Sequence, residues 1–239
     1  MQSVKIVEAV SKQTGTVIFL HGLGDAGTSF VPFAKVLQKQ HPHLRFVFPT
    51  AQTLPITLNS GYPMPAWFDI KALDKLTNSI HDDEEGMMRS VAAVESLIEK
   101  EVKERGIKEE RIVIGGFSQG CVISILTALR TRRDIAGVVS LSGWLPLSHK
   151  IEELTHPSAK NLAVFWGHGK DDAVTTSADG QQSCSLLQSI KGVNLPSVPT
   201  GTAFAKPGLR FESYEGLTHS LGDKEIRDLS EWLKYAVPA

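Results

Sequence analysis

Cysteine is scarce in this 239-residue chain, with only Cys121 and Cys184, and that scarcity excludes a disulfide framework. An excess of either charge is also missing: 25 Lys and Arg face 26 Asp and Glu, for a formal net charge of −1. No basic footprint for nucleic acid or an anionic membrane is therefore expected. No apolar run approaches the ~20 residues of a membrane-spanning helix; residues 16–20 are typical of the longest. Residues 1–5 lack a basic region followed by an apolar core, so no secretory signal is expected. Neither a glycine after Met1 nor a C-terminal CaaX sequence offers a lipidation site. The expected compartment is the cytosol, with the nucleus as a second location. No repeat and no linker divides the chain, which is long enough for one domain, residues 1–239, around a sizeable core.

What the chain does have is an apolar run, residues 111–115, that ends in Gly116-Phe117-Ser118-Gln119-Gly120 and passes directly into the apolar stretch 121–129. Strand, sharp turn and helix in that order are the context a GxSxG needs. The flanking glycines let backbone segments approach closely and allow Ser118 a strained conformation. The turn would lift one hydroxyl above the sheet edge and aim the Gln119 N–H toward charge developing on a substrate oxygen. The alternative is a glycine-rich turn carrying an incidental serine. An acid and a histidine in the right order would decide.

Upstream, residues 17–20 read as a buried strand running into His21-Gly22-Leu23-Gly24-Asp25-Ala26-Gly27. Such a glycine loop suits a second oxyanion donor, the N–H of Leu23. A phosphate loop is the competing assignment, but the spacing matches neither GxGxxG nor a P-loop with its lysine. His21 is expected to hold the loop by hydrogen bonding rather than to act as a base. Residues 29–40 have helical spacing, and 44–48 return as a strand. The segment 50–66 holds Pro55, Pro63, Pro65 and Gly61 among apolar residues, so it is expected as a loop that either lines an acyl-chain site or covers the core. Residues 67–70 look extended.

The clearest helix spans 82–105, with Met87, Val91, Val94, Ile98 and Val102 on one face and Gly106 ending it. Its opening run, Asp82 to Glu85, reads as a solvated helix N-terminus, with a cation site as the alternative. Strands follow at 135–141, 162–166 and 209–214. Helices are expected at 181–190 and through Ile226, Leu229, Leu233 and Ala236, and 192–208 as a long loop that could move. Continuously apolar strands alternating with helices imply a mostly parallel central sheet covered by helices on both faces.

Ligands of such sheets sit beyond the carboxyl ends of the strands. Ser118, Asp171 or Asp172, and His219 each follow a strand in that position. The order Ser, Asp, His is the α/β-hydrolase order. A serine hydroxyl needs a base to take its proton, and the histidine needs a carboxylate to fix its tautomer.

Five segments together resemble the acyl-protein thioesterases, in the lysophospholipase-like carboxylesterase family of α/β-hydrolases. They are LHGLGD from Leu20, PITLNSGYPMPAWFDI from Pro55, RIVIGGFSQG from Arg111, SGWLPL from Ser142 and YEGLTHS from Tyr214. The resemblance covers nearly the whole chain. It implies Ser118 as nucleophile, His219 as base and, from an HGxxD pattern starting at His168, Asp172 as the acid, with His168 as scaffold. It also implies oxyanion donors at Leu23 and Gln119 and an acyl channel near residues 55–67. Leu54, Ile56, Leu58, Met64, Trp67, Leu73, Leu76 and Trp144 are candidates to line that channel.

The implied chemistry removes palmitoyl-type chains from S-acylated proteins through an acyl-enzyme, with no metal and no organic cofactor. The alternatives are a lysophospholipase or general carboxylesterase with the same triad, and a non-catalytic lipid-binding relative. The expected partners are S-acylated proteins or a lysophospholipid, with membrane contact only through the substrate's lipid, no nucleic acid, and the oligomeric state open. Ala173 stands where the family usually has proline, Cys121 where glycine is usual, and 192–208 looks long enough to form a rim or lid.

Overall fold

A computed structural model describes residues 1–73, 76, 82–204 and 206–239. In chain order its elements are β1 (Ser3–Val7), β2 (Gly15–Leu20), α1 (Val31–Leu37), β3 (Leu44–Thr50), β4 (Thr53–Ile56) and β5 (Tyr62–Pro65). Then come α2 (Glu84–Arg105), β6 (Ile112–Phe117), α3 (Gln119–Arg130), β7 (Gly137–Leu141), α4 (Ile151–Leu154), β8 (Ala163–Gly169), α5 (Ser177–Ser189), β9 (Gly208–Tyr214) and α6 (Asp223–Ala236).

Strands β2, β3, β7 and β8 are buried at every position, as strands covered on both faces must be. With β1, β6 and β9 they form one seven-stranded sheet in the order β1-β3-β2-β6-β7-β8-β9. All neighbours are parallel except β1, which pairs antiparallel with β3 from Ser3↔Thr50 to Val7↔Phe46. This mostly parallel sheet with helices on both faces is the architecture expected of an α/β-hydrolase. Alternate side chains supply two cores: Ile18 and Leu20 pack with α2 and α3, while Val17 and Phe19 pack with α1 and α6. The strand that leads into Ser118, β6, lies mid-sheet.

Helix α2 buries Met87, Val91, Val94 and Ile98. Its acids are structural acceptors: Asp83 accepts the Gly86 N–H at 2.9 Å and the Asp69 N–H at 3.0 Å, and Asp82 accepts the Leu147 N–H at 2.9 Å. Helix α1 is shorter than the expected 29–40, because a 3-10 turn at Gly27–Phe30 precedes it and Pro32 fits only its first turn.

The segment 50–66 is not a loop but the antiparallel hairpin β4–β5. Ala66 N–H donates to Gln52 O at 2.9 Å, so the hydrogen-bonded pairs fall at 54/64 and 56/62. Pro55, Pro63 and Pro65 therefore occupy the alternate positions, where a missing N–H costs no ladder bond. Residues 67–70 are a bend rather than a strand, since their N–H groups at Trp67 and Asp69 donate to side chains of Gln119 and Asp83.

Within the expected loop 192–208, residues 196–204 cover the free edge of β9 near its start. Ser197 bridges Leu209, and Phe204 packs against Trp232 of α6 at 5.8 Å between ring centroids. Those contacts lie at the opposite end of the sheet from the strand tips after which Ser118, Asp172 and His219 stand.

Candidate active site

The turn from β6 into α3 is held by close approaches that only glycine permits. A Cβ on Gly116 would sit 2.3 Å from the Gly120 carbonyl carbon, and one on Gly120 would sit 2.2 Å from Leu20 O. Ser118 between them has φ 53 and ψ −119, a region sparsely populated outside glycine. The strain is fixed by its backbone: Ser118 N–H donates to Leu141 O at 2.9 Å, and its carbonyl accepts from Cys121 N–H at 3.0 Å. The side chain is left partly open to solvent.

Beyond β8, the Asp172 side chain is fully buried. One carboxylate oxygen accepts the N–H groups of Val174 and Thr175, each at 2.9 Å, and the other accepts His219 Nδ1–H at 2.7 Å. Burial alone would push this carboxyl up, but the hydrogen bonds from His219, Thr175 and Val174 outweigh it and hold the acid at about 2. Because Asp172 takes Nδ1–H, Nε2 is the nitrogen of His219 left to receive a proton. The imidazole also packs on Phe117, with ring centroids 4.8 Å apart, beside the Ser118 turn. Asp171 is exposed and its N–H donates to Leu217 O, so of the two adjacent acids it is Asp172 that pairs with His219. His168 is buried and bonds Thr175 O through Nε2 at 2.7 Å; burial lowers its pKa, which suits a neutral scaffold residue.

His21 behaves as expected of a loop support. Nδ1 donates to Gly22 O, Nε2 accepts the Ala51 N–H at 3.0 Å, and desolvation lowers its pKa. Gly22 lies against Ser118: a Cβ there would be 3.4 Å from the serine Cβ. The next N–H, that of Leu23, and the first N–H of α3, that of Gln119, take no acceptor among the described residues. Helix geometry explains the second, since the first N–H groups of a helix have no intrahelical partner. The Gln119 side chain is buried and clamps the 67–70 bend, accepting from Trp67 N–H at 2.8 Å and donating to Phe68 O at 2.7 Å.

The eight acyl-channel candidates do not share one environment. Ile56, Trp67, Leu76 and Trp144 are buried in the core, and Leu58 packs partly buried against it. Trp67 is also a structural tie, its indole N–H donating to His21 O at 2.8 Å. Leu54 and Met64 are half-buried on the hairpin, and Leu73 is exposed. Leu54 and Trp67 line a cavity of about 220 Å³ shared with Arg89 and Ser90 of α2, and no triad candidate borders it.

Two residues at this end of the sheet have no motif. Thr175 places its hydroxyl 3.2 Å from Asp172 and 3.4 Å from His219 Nδ1. Glu225 is wholly buried in the first turn of α6, where one oxygen accepts the Gly222 N–H at 3.3 Å and the other has no partner among the described residues. Burial, with Asp172 and Asp228 nearby, pushes its carboxyl up to about 8, so it carries a proton at neutral pH. The sequence signal for Glu225 was its position as the third residue of a helix after a glycine cap, a capping-box place.

Residues 1–237 match the family described as phospholipase/carboxylesterase. The chain belongs to that family. Among its relatives, "Acyl-protein thioesterase 1" of Cryptococcus neoformans var. neoformans serotype D is 51% identical, covering 94% of this chain and 93% of the relative. A protein of the same name from Mycosarcoma maydis is 40% identical over 95% of this chain and 93% of the relative. The crystal structure of Zea mays acyl-protein thioesterase 2 superposes with a TM-score of 0.81 at 28% identity, covering 98% of this chain and 99% of the other.

Within that family frame, the unusual Cys121 is accommodated rather than disruptive. Its thiol is buried beside Ser140 Oγ, burial pushes it up to about 12, and it fills the space that the missing side chain of Gly143 leaves. Ala173 is exposed between the bonded Asp172 and Val174, and its replacement of proline leaves the acid's hydrogen bonds in place.

Proposed function

We propose that this chain is a serine hydrolase that removes long-chain fatty acyl groups, palmitoyl among them, from S-acylated cysteines of proteins. The observation that carries the chemistry is the 2.7 Å bond between His219 Nδ1 and the buried Asp172, with the imidazole packed beside the strained Ser118 turn. The substrate class is supported by relatives 32–51% identical over nearly the whole chain that are named acyl-protein thioesterases.

In this proposal His219 Nε2 takes the Ser118 proton as the oxygen attacks the thioester carbonyl. The resulting oxyanion rests on the N–H groups of Leu23 and Gln119; one such donor is typically worth ~3 kcal/mol of barrier. The cysteine thiol leaves with the proton from His219. Its reference pKa of ~8.5 makes it a better leaving group than an alcohol or amine. Water, deprotonated by the same histidine, then releases the fatty acid and restores Ser118. The reaction calls for no metal and no cofactor. The proposed compartment is the cytoplasm, with the nucleus second, and imaging of a tagged chain would test it.

A second proposal, hydrolysis of lysophospholipids or other oxygen esters, is favoured by the family description itself. Measuring kcat/KM side by side for an S-palmitoylated peptide and a lysophospholipid, with Ser118→Ala as blank, separates them. Preference for the peptide supports the thioesterase. Preference for the lipid moves the function to a lysophospholipase, and no turnover of either favours a lipid-binding protein.

A further inference from the structure

One hydroxyl meets the chain just beyond three neighbouring strands. Thr175 Oγ1 donates to Ser142 O at 2.9 Å, past β7; it lies 3.2 Å from Asp172 Oδ2, past β8, and 3.4 Å from His219 Nδ1, past β9. Thr175 is 1% exposed, so its hydroxyl is shielded from bulk water. Its backbone serves the same cluster, the N–H bonding Asp172 Oδ1 and the carbonyl accepting from His168 Nε2.

The contact to Ser142 reaches the nucleophile turn as well. Ser142 has φ 50, a conformation that persists only when its surroundings hold it. Two bonds do so: its N–H donates to Gly167 O at 2.9 Å, and its carbonyl receives the Thr175 hydroxyl. Gly143 then backs the Ser118 turn so closely that a Cβ there would be 3.2 Å from Ser118 O and 2.1 Å from Cys121 Sγ. Fixing Ser142 thus fixes the floor under Ser118.

We propose that Thr175 is a positioning residue for hydrolysis, its hydroxyl holding the Asp172–His219 pair in register with the Ser118 turn through Ser142. This rests on the assignment of Ser118, Asp172 and His219 made above. Thr175→Val keeps the shape and deletes the hydroxyl, whereas Thr175→Ser keeps the hydroxyl and deletes a methyl.

With p-nitrophenyl butyrate as substrate, we expect Thr175→Val to lower kcat about 10- to 100-fold, the usual cost of misplacing reacting groups. KM should stay within about twofold, and the acidic limb of the kcat/KM profile should move, because the His219 surroundings have changed. Thr175→Ser should keep both kcat and the limb near wild type. A valine variant with unchanged kcat and an unmoved limb overturns the proposal, whatever its Tm. If the valine variant does not fold, Thr175→Ala against Thr175→Ser gives the same two outcomes. Ser118→Ala runs in parallel: activity retained there would overturn the triad assignment itself, a different failure.

Discussion

The two ends of the central sheet treat polar groups in opposite ways. Where the strands begin, charge is neutralised pairwise. The buried Arg45 bonds Glu101 and also Glu8 at 3.0 Å, and Thr16 donates to Glu101 at 2.7 Å. Where the strands end, backbone strain and a reactive pair are kept. Ser118 and Ser142 hold positive φ, and the buried Asp172 accepts His219 Nδ1–H at 2.7 Å. One sheet thus carries an ion-pair network that ties β2, β3 and α2 together and, at its other end, a cluster that can do chemistry. Residues at the first end should set stability with little effect on turnover, and those at the second should do the reverse.

The largest expected effect is at the chemical end. Ser118→Ala should lower kcat by on the order of 10^6 with little change in Tm, read by ester hydrolysis and thermal melting. Asp172→Asn should cost about 10^4 in kcat, since an amide favours the wrong His219 tautomer. At the other end, Glu101→Ala leaves Arg45 buried without its main partner. A loss of about 3–5 kcal/mol in denaturant unfolding is expected, with kcat of the folded fraction kept. A kcat that fell with Glu101→Ala in step with stability would erase the contrast between the ends.

Glu225 is an exception to the contrast, since it lies at the chemical end yet acts on stability, through pH. Its folded pKa, about 8, stands above the carboxylate value of 4.5 that the unfolded chain would show, so the folded state keeps a proton that the unfolded state has lost. Stability from this group is full below pH 4.5 and is lost as pH rises toward 8, by at most ~1.4 kcal/mol per pH unit. Glu225→Gln keeps the acceptor for Gly222 and removes that slope. Melts at pH 5 and pH 8 should show the glutamine variant gaining on wild type at the higher pH, and parallel curves would contradict this. The smallest expected effect is at the neighbour of the acid, exposed Asp171, where Asn should leave kcat within about twofold.

Much of this was legible in the sequence because local pattern and function coincide there. The strand, GxSxG turn and apolar helix around Ser118 are contiguous, and Asp172 and His219 each follow a strand, so chain order alone implies their meeting at one edge. His21 could be assigned as a support from its place in a glycine loop. Less legible was β1, whose exposed Ser-Val-Lys-Ile becomes a strand only because β3 offers an edge. The prolines of 50–66 argued for a loop, and only the pairing register reveals that they sit where no N–H is needed. Ser142 takes a positive φ without being glycine, and the Thr175 hydroxyl acts across strands far apart in sequence, so neither leaves a local trace. The long 192–208 segment looked like a rim, but its apolar Phe204 is committed to Trp232 at the β9 edge.

The central claim is that the strained serine at the end of β6 is the reacting atom of this cluster. Treating the native chain with a fluorophosphonate and mapping the adduct by peptide mass spectrometry tests it directly. A single adduct on Ser118, formed far more slowly in His219→Ala, is the predicted result. Labelling at another residue, or equal labelling of Ser118 without His219, would contradict it.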